Sequence, residues 1–356
     1  MKGGCTDQQA SLREILKERF LLGAALNAAQ IAGHDPIALE IVRRHFSSIS
    51  PENLLKWEAV HPQPERFEFA AADQYVAFGE KHGLFVVGHV LVWHQQTSSW
   101  VFESAPGGTL DAEVLLSRLE AHVRTVVGRY RGRVQAWDVV NEAFEDDGTW
   151  RNTPWYAALG EEYVWRAFEL AHQADPGAQL YYNDYNLWKA PKRQAAVRLV
   201  KSLCERGIRI DGIGEQGHWL LDDPPLEDIE AAVVDLAKTG RQIMITELDV
   251  DPLPRPEELI GAEVSKRIVL TPELDPYAEG LPERMQQRLA QRYRDIFSIF
   301  AKYPAVRRVT FWGVTDADTW LNNWPAPGRT NHPLLWDRQG RPKPAFDAVA
   351  EALRRG

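Results

Sequence analysis

Eight short β-rich segments alternate along the chain with helical patterns apolar on one side, and nearly every segment ends in polar or aromatic residues. Together these features predict an α/β fold, a closed (β/α)8 TIM barrel of parallel strands. The length of 356 residues agrees, since such barrels run near 250 residues and grow past about 400 with insertions. The chain is therefore read as a single catalytic domain over 1–356, with 1–10 a flexible N-terminal tail. Candidate strands are 20–26 (FLLGAAL), a short one at 46–49, 84–92 (LFVVGHVLV), 134–140 (VQAWDVV), 179–183 (QLYYN), 211–216 (DGIGEQ), 242–247 (QIMITE) and 307–312 (RRVTFW). Strands buried on both faces read as near-continuous apolar runs, as most of these do. Helical patterns at 112–130, 161–174, 191–206 and 285–302 supply crossovers. The stretch 251–284, rich in Pro, Glu and Asp, is too long for a plain connection. It is expected to be an insertion after strand seven, partly helical and placed over the active face.

Composition narrows the function. An apolar share of 44% with 26% charged residues suits a chain that buries a large core, and no stretch approaches the length of apolar run that spans a bilayer. The net charge of −9, with Lys and Arg scattered, argues against nucleic acid as a partner and favours a neutral or weakly acidic substrate. Cys5 and Cys204 are too few for a disulfide framework or a zinc site, and both are expected to be free thiols. The opening residues lack the apolar stretch of a secretory signal, so the sequence as written reads as cytoplasmic. If a leader has been trimmed, the expectation becomes extracellular, periplasmic or lipid-anchored through Cys5, because Gly4-Cys5 resembles a lipoprotein cleavage junction. A monomer is expected.

The polar strand ends carry the functional signal. They read AALN (24–27), ISPENLLKWE (49–58), GHVLVWHQ (88–95), WDVVNEA (137–143), YNDYN (182–186), GEQGHW (214–219), ITELDV (245–250) and FWGVTDADTW (311–320). One polar residue at such an end is explained by helix capping; eight sets on one rim are not. The 13 Trp exceed what a core needs, and Trp57, Trp93, Trp312 and Trp320 fall at strand ends, where flat sugar faces would stack. Trp137 and Trp165 are read as core.

Hydrolysis of a glycosidic bond with retention needs one carboxylic acid to protonate the leaving oxygen and one carboxylate to attack the anomeric carbon, about 5–5.5 Å apart. Glu142 and Glu247 each close an apolar strand, and neither motif holds the Arg or Lys that a structural buried glutamate requires. Their labour divides if one is kept protonated and the other ionised by donors, for which His218, Gln216, Asn141 and Lys56 are candidates.

With these motifs on the page, the chain resembles glycoside hydrolase family 10, the retaining endo-β-1,4-xylanases. The resemblance spans almost the whole sequence, through ENLLKWE (52–58), GHVLVWH (88–94), WDVVNEA, YNDYN, GIGEQGH (212–218), ITELDV, WGVTDADTW (312–320) and RPKPAF (341–346). It implies Glu142 as acid/base and Glu247 as nucleophile, with Asn141, Gln216 and His218 holding the sugar at the cleavage point and Asn183 a further substrate-binding residue. It also implies that His89, Trp93, Trp312 and Trp320 line that pocket, and that Glu52, Asn53, Lys56 and Gln95 bind the next sugar. Xylan rather than cellulose follows where Lys56, Gln95 and Trp320 would crowd a 5-hydroxymethyl group. No cofactor and no metal is implied; the partners are xylan and xylo-oligosaccharides. Glu215 departs from the family pattern, which more often has an apolar residue there, and is expected to point outward to a cation among the helices. Trp219, Asn322, Asn323 and Trp324 are expected to shape the cleft walls with the insertion.

Three rival readings remain. The same fold could act on another β-linked glucan, with the catalytic pair unchanged. A metal-dependent barrel hydrolase is weakened by the spacing of His89 and His94 and by the lack of a His-x-His pair after strand one. A non-catalytic carbohydrate-binding barrel would be expected to have lost one carboxylate.

Overall fold

The computed structural model describes residues 11–104, 110–256, 259 and 263–354; the expected tail at 1–10, and Cys5 within it, lie outside them. Eight parallel strands form the barrel: β1 (Leu21–Leu26), β2 (Ser48–Pro51), β3 (Phe85–Gly88), β4 (Ala136–Asn141), β5 (Gln179–Asp184), β6 (Gly212–Glu215), β7 (Gln242–Asp251) and β8 (Val306–Phe311). Each pairs with its neighbours in chain order, and β8 returns to pair with β1, which closes the sheet. Closure removes every edge, so no strand leaves a row of unpaired amides.

The crossover helices form for local reasons. Ala112–Arg129 begins where the Asp111 carboxylate accepts hydrogen bonds from the Glu113 and Val114 amides, which would otherwise lack partners. It buries Leu115, Leu119, Val123, Val126 and Val127, a stripe at i, i+4, i+8, i+11 and i+12 that faces the barrel. Glu162–Ala174, Ala190–Glu205 and Glu283–Ala301 also bury one face but lack a side-chain N-cap, the second carrying Pro191 in its first turn and the third following Pro282.

Packing on both faces of the barrel sheet leaves room at several points only for glycine. A Cβ on Gly88 would lie 2.1 Å from Trp137 Cε3, and one on Gly212 would lie 2.6 Å from Met244 Cε. Trp137 is accordingly fully buried. Trp165 is partly buried beneath Arg206, whose guanidinium sits 3.4 Å from the ring centroid. Trp57 does not reach the rim: it is buried and stacks on His122, with centroids 3.6 Å apart and planes 5° apart. Strand-end position alone could not separate Trp57 from the cleft tryptophans, because it lies on the first turn of a short helix, Trp57–Val60, whose side chains turn outward to the helical layer.

Two irregularities aim the functional side chains. The β4–β5 register shifts between Asp138 and Val140, and the β7–β8 register shifts between Ile245 and Leu248, so a bulge lies beside each rim glutamate. The strand β7 runs on past the barrel to Asp251 and pairs there with a short strand, His218–Leu220, in the register His218↔Asp249. The insertion after β7 is less helical than its composition suggests. Among its described residues the helical content is 3-10 only, at Leu259 and Pro272–Leu274, and the rest runs irregularly. Among the described residues no helix is long and apolar enough to cross a membrane. Cys204 is a free thiol that accepts a hydrogen bond from Arg241 Nη2 at 3.1 Å.

Gly88→Ala is expected to destabilise the fold by about 1–3 kcal/mol, because the added methyl meets the fully buried Trp137 ring rather than a flexible side-chain end. The urea midpoint, with unchanged slope, measures it.

Candidate active site

At the C-terminal mouth of the barrel a cavity is lined by Glu142 and Glu247 together with Asn141, Gln216, His218, His89, Trp93, Trp312 and Trp320. Glu52, Asn53, Lys56 and Gln95 border it as well, as do Gln96, Val264, Arg267, Asn323 and Trp324. Thirteen of the fourteen residues expected to act in catalysis or sugar binding thus share one cavity. The remaining one, Asn183, is fully buried beneath it.

Glu142 sits at the end of β4 with φ of +58°, a left-handed conformation that costs a non-glycine residue some strain. Its amide is held by the Asn183 carbonyl at 2.9 Å. Three donors converge on the carboxyl group: Trp93 Nε1 on Oε2 at 2.8 Å, and Gln216 Nε2 and Asn141 Nδ2 on Oε1 at 2.9 and 3.2 Å. Burial nevertheless dominates and raises the Glu142 pKa; the neighbouring Glu247 charge adds to the rise, while Gln216, Arg151 and Trp93 oppose it. No cation stands in its sequence motif, but Arg151 folds behind it, donating from Nε to the Glu142 carbonyl at 3.1 Å.

Glu247, equally buried, shifts the other way. Burial alone would raise its pKa, but a hydrogen bond from His218, the pull of His89 and His218, and a hydrogen bond from Asn183 take it below the usual range. His218 Nε2 faces Glu247 Oε2 at 3.2 Å and its Nδ1 faces Asp249 Oδ2 at 3.0 Å. Burial lowers the imidazole pKa, yet Asp249 and Glu247 outweigh it and carry it to about 10, so both ring nitrogens donate at neutral pH. Trp320 Nε1 donates to the same Asp249 oxygen at 2.7 Å. On the other side Asn183 Nδ2 donates to Glu247 Oε1 at 2.8 Å, and its side-chain Oδ1 accepts from Thr246 Oγ1 at 2.6 Å. Asn183 therefore holds Glu247 from below and does not meet the cavity, contrary to its expected place beside the sugar. Its amide points into the barrel with that of its strand partner Asn141, but it is bonded to Asn141, Glu247 and Thr246 and fully buried among them.

Lys56 is buried; burial lowers its pKa against the attraction of Glu247, Glu52 and Glu142. Its Nζ donates to Asn53 Oδ1 at 2.9 Å and to Gln96 Oε1 at 2.6 Å. The glutamine beside Lys56 is thus Gln96, not Gln95 as expected. Gln96 takes φ of +45°, which turns it back toward Asn53 and Lys56, whereas Gln95 reaches across to Glu263 at 2.6 Å. Burial raises the Glu52 pKa, with Lys56 opposing. Trp320 stacks on Trp324 at 4.8 Å and 18°, and Trp312 stands edge-on to His89 at 5.4 Å and 73°. Trp219 is not a wall residue; it packs against Phe300 in the core. Asn322 binds the Asp316 and Ala317 carbonyls of its own loop.

Glu215 does lie on the outward face of β6, but it meets no cation directly. Its oxygens accept from the backbone amides of Leu187 and Gly217 at 2.6 and 3.1 Å, while the nearby Lys192 pairs with Asp184 at 2.9 Å. Burial raises Glu215 to about 8 despite these amides. The residues that sequence reasoning left out are chiefly partners of partners. Asp138 holds His89 Nδ1 at 3.0 Å and Asp249 holds His218. The period-two spacing of Asp249 from Glu247 was a usable signal, whereas Arg151, Arg267 and Glu263 lie in loops with none.

The model of Glycosyl hydrolase family 10 matches residues 11–352. An endo-1,4-beta-xylanase A of Xylanibacter ruminicola is 43% identical over 342 residues, 96% of this chain and 93% of its own. A beta-1,4-xylanase of Dictyoglomus thermophilum is 42% identical over 339 residues, covering 94% and 89% of the two chains. Among solved structures, a family 10 endoxylanase from a sugarcane soil metagenome superposes with a TM-score of 0.93 at 45% identity, covering 96% and 99%.

Asp249→Asn is expected to bring the His218 pKa down from about 10 toward neutrality, since Asp249 is the strongest influence raising it. Imidazole NMR titration reads the change. A family model matched from Ser11 to Ala352, close relatives over nearly their full length and a closed eight-stranded barrel together make the chain a member of glycosyl hydrolase family 10.

Proposed function

We propose that the chain is a retaining endo-β-1,4-xylanase that hydrolyses internal bonds of xylan by double displacement, Glu142 serving as acid/base and Glu247 as nucleophile. The observation that carries this reading is the opposite perturbation of two carboxyl groups in one cavity: Glu142 raised by burial, Glu247 lowered by His218, His89 and Asn183. The substrate follows from relatives that are xylanases.

In the first step protonated Glu142 gives its proton to the glycosidic oxygen as the bond to the anomeric carbon breaks, and ionised Glu247 attacks that carbon. The leaving chain departs with the proton, and Glu247 becomes a neutral ester. Its negative charge, which had helped raise the Glu142 pKa, is then gone. The Glu142 pKa falls accordingly, so Glu142 stays ionised after giving up its proton and can take one from water as the water oxygen attacks the same carbon and expels Glu247. Two inversions leave the β-anomer. Glu52, Asn53, Lys56 and Gln96 form a polar wall suited to the hydroxyls of the next sugar, and Lys56 and Trp320 narrow the space where a 5-hydroxymethyl group would project.

Glu247→Ala is expected to lose about 10⁴-fold or more in kcat while still binding oligosaccharide. Glu142→Ala should fall about 10²–10⁴-fold on xylan and far less on aryl xylobiosides whose leaving group needs no proton. An unchanged ratio between those two substrates would refute the acid assignment. Proton NMR of the first product must show the β-anomer; an α-anomer overturns the nucleophile.

The pH profile follows from the same shifts. Activity should fall on the acid side as Glu247 gains a proton, below the usual carboxylate range, and on the alkaline side as Glu142 loses one, above it. Asp249→Asn, by weakening the His218 charge that holds Glu247 ionised, should move the acid limb of kcat/KM to higher pH.

A further inference from the structure

The closed strand order places β3 and β7 four strands apart in either direction, at opposite ends of one diameter of the mouth. A contact between their loops therefore spans the mouth from wall to wall. Such a contact exists. Glu263, from the insertion after β7, accepts from Gln95 Nε2 of the β3 loop at 2.6 Å through one oxygen and from Arg151 Nη1 of the β4 loop at 3.1 Å through the other. Behind it the insertion is tied to the β8 loop: Trp324 Nε1 donates to the Glu263 carbonyl at 3.3 Å, and the Ile268 amide donates to the Pro325 carbonyl at 3.0 Å.

The segment also divides the surface into two hollows. Val264 and Arg267 face the cavity that holds Glu142, Glu247 and Lys56. Glu263 and Lys266 face a second cavity bordered by Tyr185 and Trp188 of the β5 loop and by Arg151. The first is centred on the β2, β3 and β8 side and the second on the β4, β5 and β6 side, so a line joining them runs across the β3–β7 diameter. A polymer bound through both hollows must pass the Glu263 bridge.

We infer that the Glu263 bridge between Gln95 and Arg151 roofs the cleft at the cleavage point and sets a preference for linear xylo-oligosaccharides, which thread beneath it, over long decorated xylan, which enters only when it opens. This rests on the xylanase reading above. The Glu263 carboxylate also accepts from Ser265 N and Oγ of its own segment at 3.3 and 2.7 Å, and its side chain is 23% exposed, so water can replace its contacts to Gln95 and Arg151 while Ser265 keeps it bonded. The bridge can therefore open, and an internal stretch of polymer with no end nearby requires that it does. Side groups on the xylose backbone widen the chain and meet the roof first. Glu263 is a positioning and selecting residue; it is not placed to touch the reacting atoms.

The test compares wild type with Glu263→Ala and Glu263→Gln on xylohexaose and on polymeric glucuronoxylan, with kcat and KM measured separately. Glu263→Ala is expected to raise kcat/KM on the polymer at least threefold, mainly through KM, and to leave xylohexaose within twofold; Glu263→Gln, which keeps one acceptor oxygen, should fall between. A polymer-to-oligomer ratio unchanged in Glu263→Ala overturns the inference, and so does an equal loss on both substrates, which would mean that Glu263 merely holds Arg151 behind Glu142. Wild type inactive on xylohexaose would bring down the xylanase reading itself and this inference with it, whereas an active wild type with an unchanged ratio removes the bridge alone.

Discussion

Two glutamates buried against one cavity would both tend to take protons, because each pays for desolvation and each repels the charge of the other. The rest of the site is an answer to that constraint. A protonated His218, itself kept charged by Asp249, stands on Glu247, and Asn183 supplies a second donor from below. Glu142 receives donors too, but neutral ones, from Trp93, Gln216 and Asn141, and these do not offset its burial. A full positive charge on one side and only amide and indole dipoles on the other is what separates the two.

That arrangement depends on strand geometry as much as on residue type. Asp249 meets His218 because β7 runs four residues past Glu247 and pairs with the short strand after β6. Glu142 faces inward because the chain turns through a positive φ just past the β4 bulge. Asn183 serves both carboxylates, through its carbonyl on the Glu142 amide and its side chain on Glu247, since β5 is paired with β4 in that register. The supporting shell is thus built from the sheet itself, the most rigid part of the molecule, while the loops above supply the walls.

The upper walls obey a different logic. Lys56, Gln96, Trp320 and Trp324 are held by one another and by loop backbone, and the insertion after β7 is fastened to opposite walls by a few polar contacts. Contacts of that kind are exchangeable with water, so this layer is where family members sharing the same catalytic floor can differ in what they admit.

Much of this was legible before any coordinates. The eight strands were found within a few residues because buried parallel strands leave uninterrupted apolar runs, and the helices because their apolar stripe has a 3.6-residue period. Glu142 and Glu247 stood out as carboxylates at strand ends with no cation in their motifs, and the resemblance named the same pair. Side-chain direction was not legible. Whether Gln95 or Gln96 turns to Lys56 depends on one backbone angle, and whether Trp57 faces the cleft or His122 depends on a single helical turn. Glu215 was expected to point outward to a cation, yet its partners proved to be backbone amides, which no sequence pattern reports. The sequence by itself determined the barrel, the rim and the two glutamates, because hydrophobic periodicity and residue type are local properties. Only the tertiary structure decided how those glutamates differ in charge and what crosses the mouth above them, because burial, register and contacts between opposite walls arise only when the barrel closes.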